Sequence, residues 1–204
     1  MKQLIPISIL AAAFCVGCGS STENAKENET VSTLPSENYS NEAVVSQAPQ
    51  VDNPDSDFGV YLDGQVAGAI EIMDSPGEKR KVIMTLPAQS VCQLVVNGVS
   101  NQWWFVASKI SMIEPEEKLL ELPGEGWIHS SALAVSTRNY GGERLTFREN
   151  PEADAKEVYS FTEEIVLKPI DMSGEWVKVK TGDGAHEGWI EAAMLCGNAV
   201  SNCN

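Results

Sequence analysis

Histidines and cysteines, which supply general bases, nucleophiles and metal ligands, are few in this 204-residue chain, and its acidic residues are scattered. The two histidines are His129, in the run Gly-Trp-Ile-His, and His186, in the loop Gly-Asp-Gly-Ala-His-Glu. Neither lies at metal-ligand spacing from another His or from a Cys, and a nucleophilic cysteine would need a positioned histidine base. We expect both histidines to be solvated surface residues. The sequence therefore predicts no catalytic residue, no metal site and no cofactor, and the chain is not expected to be an enzyme.

The five cysteines differ in what their positions allow. Cys15 and Cys18 end an apolar run near the N-terminus. Cys196 and Cys203 bracket a short tail after the last predicted strand, and in an oxidising compartment they predict a small disulfide loop. Cys92 lies in an apolar run and would be the odd, buried thiol. Pairing of Cys92 with a tail cysteine is the alternative, and it would link the two halves of the chain.

The charge of the chain restricts its partners. It has 14 Lys and Arg against 29 Asp and Glu, for a formal net charge of −15. Phosphate binding needs clustered Lys and Arg, so this balance argues against nucleic acid and anionic lipid as electrostatic partners. A hydrophobic content of 43% is sufficient for a packed core. The acidity describes solubility and disfavoured partners more than any site.

The N-terminal residues predict export. The apolar run 4–16 is too short to span a bilayer as a helix, which favours a signal peptide. It ends in Gly17-Cys18 and turns polar at Gly19. Small residues before such a Cys resemble the lipobox of bacterial lipoproteins. The resemblance implies removal of residues 1–17, acylation of Cys18 and a lipid-anchored location in the cell envelope, at the outer membrane if the host has one. Ordinary signal cleavage, with an incidental Cys18, is the alternative.

A linker is predicted after this signal. Residues 18–57 are rich in Ser, Thr, Asn, Glu, Gln and Pro, and their few apolar residues show no sustained period. Such a segment cannot bury enough apolar surface to offset the entropy lost on ordering. We therefore expect a disordered acidic tether that holds a folded head away from the membrane, with the lipid anchor as the only membrane contact.

The rest of the chain contains an internal repeat. Apolar and proline positions recur at a constant offset of 75, with Ile70, Ile72, Pro76, Ile83 and Leu86 matched by Leu145, Phe147, Pro151, Val158 and Phe161. The pair Trp103-Trp104 corresponds to Trp176, with Trp104 and Trp176 each taken as the start of an alternating strand. The run Gly-Trp-Ile at 126–128 recurs at 188–190. Short alternating strands between turn-rich connectors predict small β-barrels.

Each copy resembles a bacterial SH3 (SH3b) domain, whose pattern is a strand, a turn-rich loop, two strands, a W-x-x-V strand, then G-W-[IV] and a short turn that ends on Leu. The resemblance implies an all-β fold with two tandem small SH3-like β-barrels, residues 58–140 and residues 141–204. The first copy departs from the pattern in two ways. It has Met73 where the second copy has Arg148. The two tryptophans that fit the pattern, taken as Trp104 and Trp127, are also ten residues further apart than Trp176 and Trp189 of the second copy. The insertion is expected to be a short helix or an extended hairpin tip.

Four aromatic residues are candidates for ligand binding. Trp103 and Trp104 are neighbours on one strand and point to opposite faces, so one of them must leave the barrel interior. Its ring would stack on a sugar or peptide, or would cover the junction between the barrels. Tyr140, between the copies, has the same two interpretations, and Trp176 is the candidate in the second copy.

The tryptophans of the two Gly-Trp-Ile runs have a different expected role. Trp127 and Trp189 are expected to plug the core or the rim of each barrel. The glycine before each is expected at a bulge or a close strand approach, where a Cβ would clash.

These patterns together predict a non-enzymatic, lipid-anchored envelope protein, and the SH3b resemblance implies that its barrels bind cell-wall glycan or peptide through aromatic rims. The alternative is a protein–protein interaction module, such as an assembly partner or inhibitor of an envelope enzyme, without affinity for the wall. The net acidity makes polyanionic wall polymers poor ligands and slightly favours this alternative. Nucleic acid is not an expected partner in either case.

Overall fold

The computed structural model of the chain describes residues 57–200 and Cys203. The predicted signal peptide, the lipidation of Cys18 and nearly all of the predicted tether lie outside the described residues. Within the described part of the chain, no helix is long and apolar enough to cross a membrane.

Apart from two single turns of 3₁₀ helix, all regular secondary structure of the described residues is β-strand, so the predicted all-β class is confirmed. The strands are β1 (Phe58–Leu62), β2 (Ile70–Met73), β3 (Val82–Leu86), β4 (Val91–Ser100), β5 (Trp103–Glu114), β6 (Lys118–Glu121), β7 (Gly126–His129), β8 (Leu133–Thr137), β9 (Leu145–Arg148), β10 (Glu157–Phe161), β11 (Val166–Ser173), β12 (Trp176–Thr181), β13 (Glu187–Glu191) and β14 (Leu195–Cys196). Two 3₁₀ helices, η1 (Ser130–Ala132) and η2 (Ala192–Met194), follow β7 and β13.

The strands form one sheet rather than two closed barrels. Its order is β10-β9-β13-β12-β11-β8-β1-β4-β5-β7-β2-β3, with β14 beside β8 and β6 beside β5. Neighbouring strands pair antiparallel, and the sheet is not closed into a barrel. The difference from the expected pair of barrels arises at β8, which pairs with β1 of the first copy and with β11 of the second. The two copies are therefore joined edge to edge.

The repeat includes one strand more than the sequence matches revealed. Leu62 of β1 lies opposite Leu133 of β8, and Thr137 of β8 lies opposite Leu195 of β14. Leu62 and Thr137 are again separated by the offset of 75. β8 thus repeats β1, and it serves as the last strand of the first copy and the first strand of the second.

One hydrophobic core extends beneath both copies, because side chains that alternate along the strands place their apolar members on a common face. In β9, Leu145 and Phe147 are buried whereas Thr146 and Arg148 are partly exposed. The largest fully buried side chains are Trp104, Phe147, Ile72, Leu86, Ile110, Ile128, Leu133 and Leu167.

Polar contacts also link the copies. Lys168 of β11 forms an ion pair with Asp63, which follows β1, and their side chains are only 26% and 14% exposed. The Lys168 ammonium also donates to the carbonyl of Ser131, at 3.1 Å. The hydroxyls of Tyr61 and Ser136, which are equivalent positions of β1 and β8, share a hydrogen bond of 2.9 Å. These contacts hold the two copies in one arrangement.

The insertion of the first copy is an extended hairpin and contains no helix. β5 continues to Glu114, and β6 returns beside it with Lys118 opposite Met112 and Glu121 opposite Lys109. The insertion was expected to be a short helix or an extended hairpin tip, and the structure has the extended hairpin tip.

The tail is closed by the predicted disulfide, since Cys196 and Cys203 are bonded with their Cα atoms 5.5 Å apart. Gly197, inside this loop, lies against Gly59 of β1, where any Cβ would overlap the backbone. Cys92 is a buried free thiol, and burial raises its pKa. The alternative pairing of Cys92 with the tail is therefore absent.

Candidate functional site

The register of the sheet identifies Trp103, rather than Trp104, as the counterpart of Trp176. Trp103 begins β5 opposite His129, and Trp176 begins β12 opposite Glu191. Aligning Trp104 with Trp176 was therefore wrong by one residue. The error arose because two adjacent tryptophans both fit the sequence pattern, whereas only strand pairing fixes which one faces outward.

Trp104 occupies the core position that Val177 holds in the second copy. Its side chain is fully buried, and its indole N–H donates to Ser130 Oγ at 2.9 Å. The Ser130 hydroxyl in turn donates to the carbonyl of Gln102 at 2.9 Å. Trp104 therefore has no surface to offer a ligand, and Trp103 is the neighbour that leaves the interior.

The half-buried ring of Trp103 is in contact with two side chains of its own chain. The guanidinium carbon of Arg80 lies 4.7 Å from the ring centroid, as in a cation–π contact. His129 meets the ring edge-on, with the centroids 5.1 Å apart. Arg80 also donates to the carbonyl of Gly77 at 3.2 Å. One face of the Trp103 ring is therefore already covered.

His129 has a structural role that the expectation of a solvated residue missed. Its Nδ1 accepts from the backbone N–H of Ser131 at 3.2 Å, which caps η1, and it lies 2.8 Å from the Ser131 hydroxyl. Burial, and secondarily the charge of Arg80, lower the pKa of His129. A neutral imidazole with an accepting Nδ1 fits both the pKa shift and the cap. His186, by contrast, is exposed and stacks on Tyr159 with centroids 3.7 Å apart.

Trp176 borders an open cleft in the second copy. This feature, the Trp176 cleft, has a volume of about 170 Å³ and is lined chiefly by Arg144, Thr146, Arg148, Trp176, Glu191 and Met194. Arg144 is paired with Glu157 at 2.6 Å, and this bond raises the pKa of Arg144 and lowers that of Glu157. Arg148 donates one bond, from Nη1 to the carbonyl of Ala155 at 2.8 Å. The cleft thus combines an aromatic ring, a hydroxyl and charges of both signs.

The outer surfaces of the two copies differ beside these tryptophans. In the second copy Arg148, Trp189 and Lys178 lie in a row across β9, β13 and β12. The equivalent row of the first copy consists of Met73, Trp127 and Phe105, and it is apolar. Trp127 is only 4% exposed, whereas Trp189 is partly exposed. The burial of Trp127 and the partial burial of Trp189 agree with the predicted role of these tryptophans as core or rim residues.

The glycines that precede these tryptophans do lie at close approaches, as predicted. A Cβ on Gly126 would come within 2.7 Å of Leu122 Cδ1 and 2.9 Å of Ile72 Cγ2. A Cβ on Gly188 would come within 2.7 Å of Phe147 Cβ and 2.9 Å of the carbonyl oxygen of Arg148.

Tyr140 lies in the connector between β8 and β9 and is 36% exposed. The preceding Asn139 is buried and fixes the connector, because its amide donates to the carbonyls of Thr162 at 2.8 Å and Glu163 at 3.0 Å. Tyr140 does not line the Trp176 cleft. The candidate aromatic residues are therefore not brought together into one site.

No group of three or more His, Cys, Asp or Glu side chains among residues 57–200 and Cys203 could hold a metal ion. A cavity of about 310 Å³ between the copies is lined by carboxylates and apolar groups, among them Asp57, Phe58, Met172, Glu175 and Glu191.

Comparison with known proteins identifies the second copy. Residues 143–195 match the bacterial SH3 domain. This range extends from just before β9 to the first residue of β14, and it includes the Trp176 cleft. The predicted SH3 resemblance is thereby confirmed for the second copy, and it stays a prediction for the first. A bacterial SH3 domain points, in general terms, to a binding function toward the cell wall or a protein partner.

Whole-chain comparisons are less specific. No curated protein matches the chain. Solved structures that align with it include NlpC1 from Trichomonas vaginalis, at 11% identity and a TM-score of 0.28 over 69% of this chain and 45% of that chain. NlpC2 from Trichomonas vaginalis aligns at 11% identity and a TM-score of 0.28, over 73% of this chain and 52% of that chain. The chain therefore spans about half the length of these two proteins.

Proposed function

We propose that this chain is an exported, lipid-anchored and non-enzymatic envelope protein that binds cell-wall glycan or peptide through its second, SH3-like copy. The observation that carries the proposal is the match of residues 143–195 to the bacterial SH3 domain, together with the open Trp176 cleft inside that range. An aromatic ring beside a few polar groups is the usual composition of a small-ligand site.

Two further observations support the parts of this proposal that concern location and chemistry. The lipobox-like ending Gly17-Cys18, followed by a polar linker, supports export and acylation. For a binding role without catalysis, the support is that His129 caps a turn and Cys92 is a buried thiol with a raised pKa. Neither group is available as a base or a nucleophile.

The wall-binding proposal is tested by sedimentation with purified peptidoglycan. The full-length chain in detergent is expected to pellet with the wall, and Trp176→Ala is expected to remain in the supernatant. Trp103→Ala is the matched control, since it removes the equivalent ring from the first copy and is expected to pellet like the unaltered chain. If the unaltered chain does not pellet, the proposal is wrong.

Lipid anchoring is tested separately. Cells that express the chain with a labelled fatty acid are expected to incorporate the label into it, and Cys18→Ala is expected to abolish that incorporation. Cys15→Ala is the matched control, because it alters a neighbouring cysteine of the same segment. Label retained in Cys18→Ala would contradict the proposed anchor.

A protein partner is the second candidate, and two observations favour it. The net charge of −15 disfavours polyanionic wall polymers. Val95 and Leu119 are also exposed, at 39% and 59%, beside a largely apolar cavity of about 400 Å³. Photocrosslinking from position 119 in the native envelope, with position 118, a polar position of the same hairpin outside the cavity, as the control, would distinguish this function from wall binding.

A further inference from the structure

The two copies of the repeat carry different side chains on closely matching backbones around Trp103 and Trp176. Where β2 pairs with β3, Ile72 lies opposite Met84, and the register then shifts so that Met73 lies opposite Val82. The pairing of β9 with β10 repeats this shift at the offset of 75, with Phe147 opposite Tyr159 and Arg148 opposite Glu157. The loops match as well, because the backbone bond from Asp74 to Lys81 recurs from Glu149 to Lys156, each at 2.9 Å. Side chains at equivalent positions can therefore be compared directly.

Position 80 of the first loop corresponds to position 155 of the second. Arg80 extends over the ring of Trp103, with its guanidinium carbon 4.7 Å from the centroid. Ala155 has no side chain that could cover Trp176, and its carbonyl instead accepts a bond of 2.8 Å from Arg148. In the second copy the guanidinium is therefore that of Arg148 on strand β9, and the loop carbonyl of Ala155 holds it. The ring of Trp176 is left uncovered beside the cleft.

The guanidinium of Arg148 has donors to spare. A guanidinium carries five N–H donors in a planar fork that fits a carboxylate, and the structure commits one of them. Among the ion pairs of the described residues none includes Arg148, whereas its neighbour Arg144 is paired with Glu157. In the first copy the equivalent residue is Met73, which offers no charge.

We propose that the Trp176 cleft binds a peptide-like ligand through a free carboxylate held by Arg148, and that Arg80 closes the equivalent position of the first copy. Glu191 at the cleft favours N–H or ammonium groups at the other end of the ligand and disfavours an extended polyanion. The ligand class is therefore a peptide or acylated amino acid with a single terminal carboxylate stacked beside Trp176. This inference rests on the proposed binding function and specifies its chemistry.

The test uses the full-length chain in detergent with its five tryptophans labelled with ¹⁵N, so that each indole N–H is a separate probe. The ligands are N-acetylglycylglycine with a free carboxylate and the same compound as its carboxamide. We expect the acid to shift the Trp176 signal while the Trp103 signal stays unchanged, and to bind at least about tenfold more tightly than the carboxamide, since charge-assisted hydrogen bonds are lost with the amide. Equal affinity of acid and carboxamide would overturn the proposal.

Variants taken from the chain's own equivalent positions supply the controls. Arg148→Met gives the second copy the residue of the first, and it is expected to weaken binding of the acid about tenfold and to abolish the preference over the carboxamide. In the ligand-free variant, unchanged indole shifts of Trp103, Trp104 and Trp127, with dispersed signals for Trp176 and Trp189 beside the altered position, verify that it folds. Arg148→Lys is expected to keep a preference for the acid at lower affinity, because the charge remains and the planar fork does not. An unaltered affinity in Arg148→Met would refute the assignment.

Closure of the first copy has a readout that needs no ligand. Arg80→Ala is expected to raise the broadening of the separate Trp103 indole signal by a soluble paramagnetic agent and to leave binding at Trp176 unchanged. The gain in access should be about two- to fivefold, which corresponds to loss of an exposed cation–π contact. Unchanged broadening would refute the covering role of Arg80.

Sedimentation with peptidoglycan separates this inference from the function on which it rests. If the chain pellets and Arg148→Met pellets equally well, wall binding stands and the carboxylate inference is wrong. If the chain binds the acid through Arg148 but does not pellet, the inference stands and wall binding is wrong, and the carboxylate then belongs to a protein partner.

Discussion

Replacing Gly188 by alanine tests the close approach of β13 to β9. Gly188 does not have a left-handed backbone, so alanine is allowed at its φ and the effect of the change is steric. The added methyl would lie 2.7 Å from Phe147 Cβ, 2.9 Å from the Arg148 carbonyl oxygen and 3.0 Å from Val158 Cγ2. The first two atoms move only with the backbone of β9. The two strands must therefore separate locally.

The expected size of this effect follows from two opposing contributions. Overpacking of a well-packed site costs about 1–3 kcal/mol, and the rigid backbone at Gly188 favours the upper end. Alanine also restricts the unfolded chain, which offsets about 0.4–1 kcal/mol. The net loss should be about 2 kcal/mol, and for a chain of this length it should lower the melting temperature by about 4–8 °C.

Gly126→Ala is the matched control, because it makes the same change in the same Gly-Trp-Ile context. Its methyl would meet Leu122 Cδ1, at the end of a partly buried side chain, and Ile72 Cγ2, on a fully buried β-branched side chain. Rotation of Leu122 relieves its part of the overlap, whereas Ile72 is stiff, so we expect a loss of about 1 kcal/mol, smaller than in Gly188→Ala. Thermal and urea unfolding of the two variants measure the difference. A loss in Gly126→Ala that equals or exceeds that in Gly188→Ala would refute this reasoning.

Three other predictions concern contacts that hold the head together. Reduction of the Cys196–Cys203 loop should lower the free energy of unfolding by about 2–3 kcal/mol on the chain-entropy account, and Cys196→Ser with Cys203→Ser should show the same loss without response to reductant. Asp63→Asn should cost about 1–3 kcal/mol because it leaves the Lys168 ammonium largely buried without its carboxylate, and a double-mutant cycle with Lys168→Met should give a favourable coupling energy. The lowered pKa of His129 means that the unfolded chain takes up a proton first, so stability should fall as the pH drops through about 6.5. His129→Gln should remove that part of the pH dependence, and an unchanged difference between pH 7.5 and pH 5 would contradict it.

The sequence predicted the β-rich class and the repeat because apolar alternation and glycine placement are local signals. The offset of 75 that relates Ile72 to Phe147 also holds in strand pairing, including the irregularity at the end of β2. The constraint at Gly126 and Gly188 was likewise predicted, since a glycine before an aromatic residue in a strand indicates a close approach.

The arrangement of the candidate site could not be predicted, because it depends on which strands pair in the sheet and the residue pattern of a single strand does not show this. Trp103 and Trp104 fit the repeat equally well in sequence, and only the pairing of β5 with β7 shows that Trp103 faces outward. The cover that Arg80 places on Trp103 joins a loop to a strand 23 residues later, and no local signal marks such a contact. The one sequence clue was the difference between Arg80 and Ala155 at equivalent loop positions.

The shared strand β8 has a consequence for any attempt to divide the head. A fragment that ends before β8 leaves the edge of β1 without its neighbour, and a fragment that starts after β8 leaves the edge of β11 bare. Exposed strand edges pair with other chains and promote aggregation. A fragment of either kind would therefore have to keep β8, and the side of β8 that pairs with the missing copy would then be free to pair with another chain.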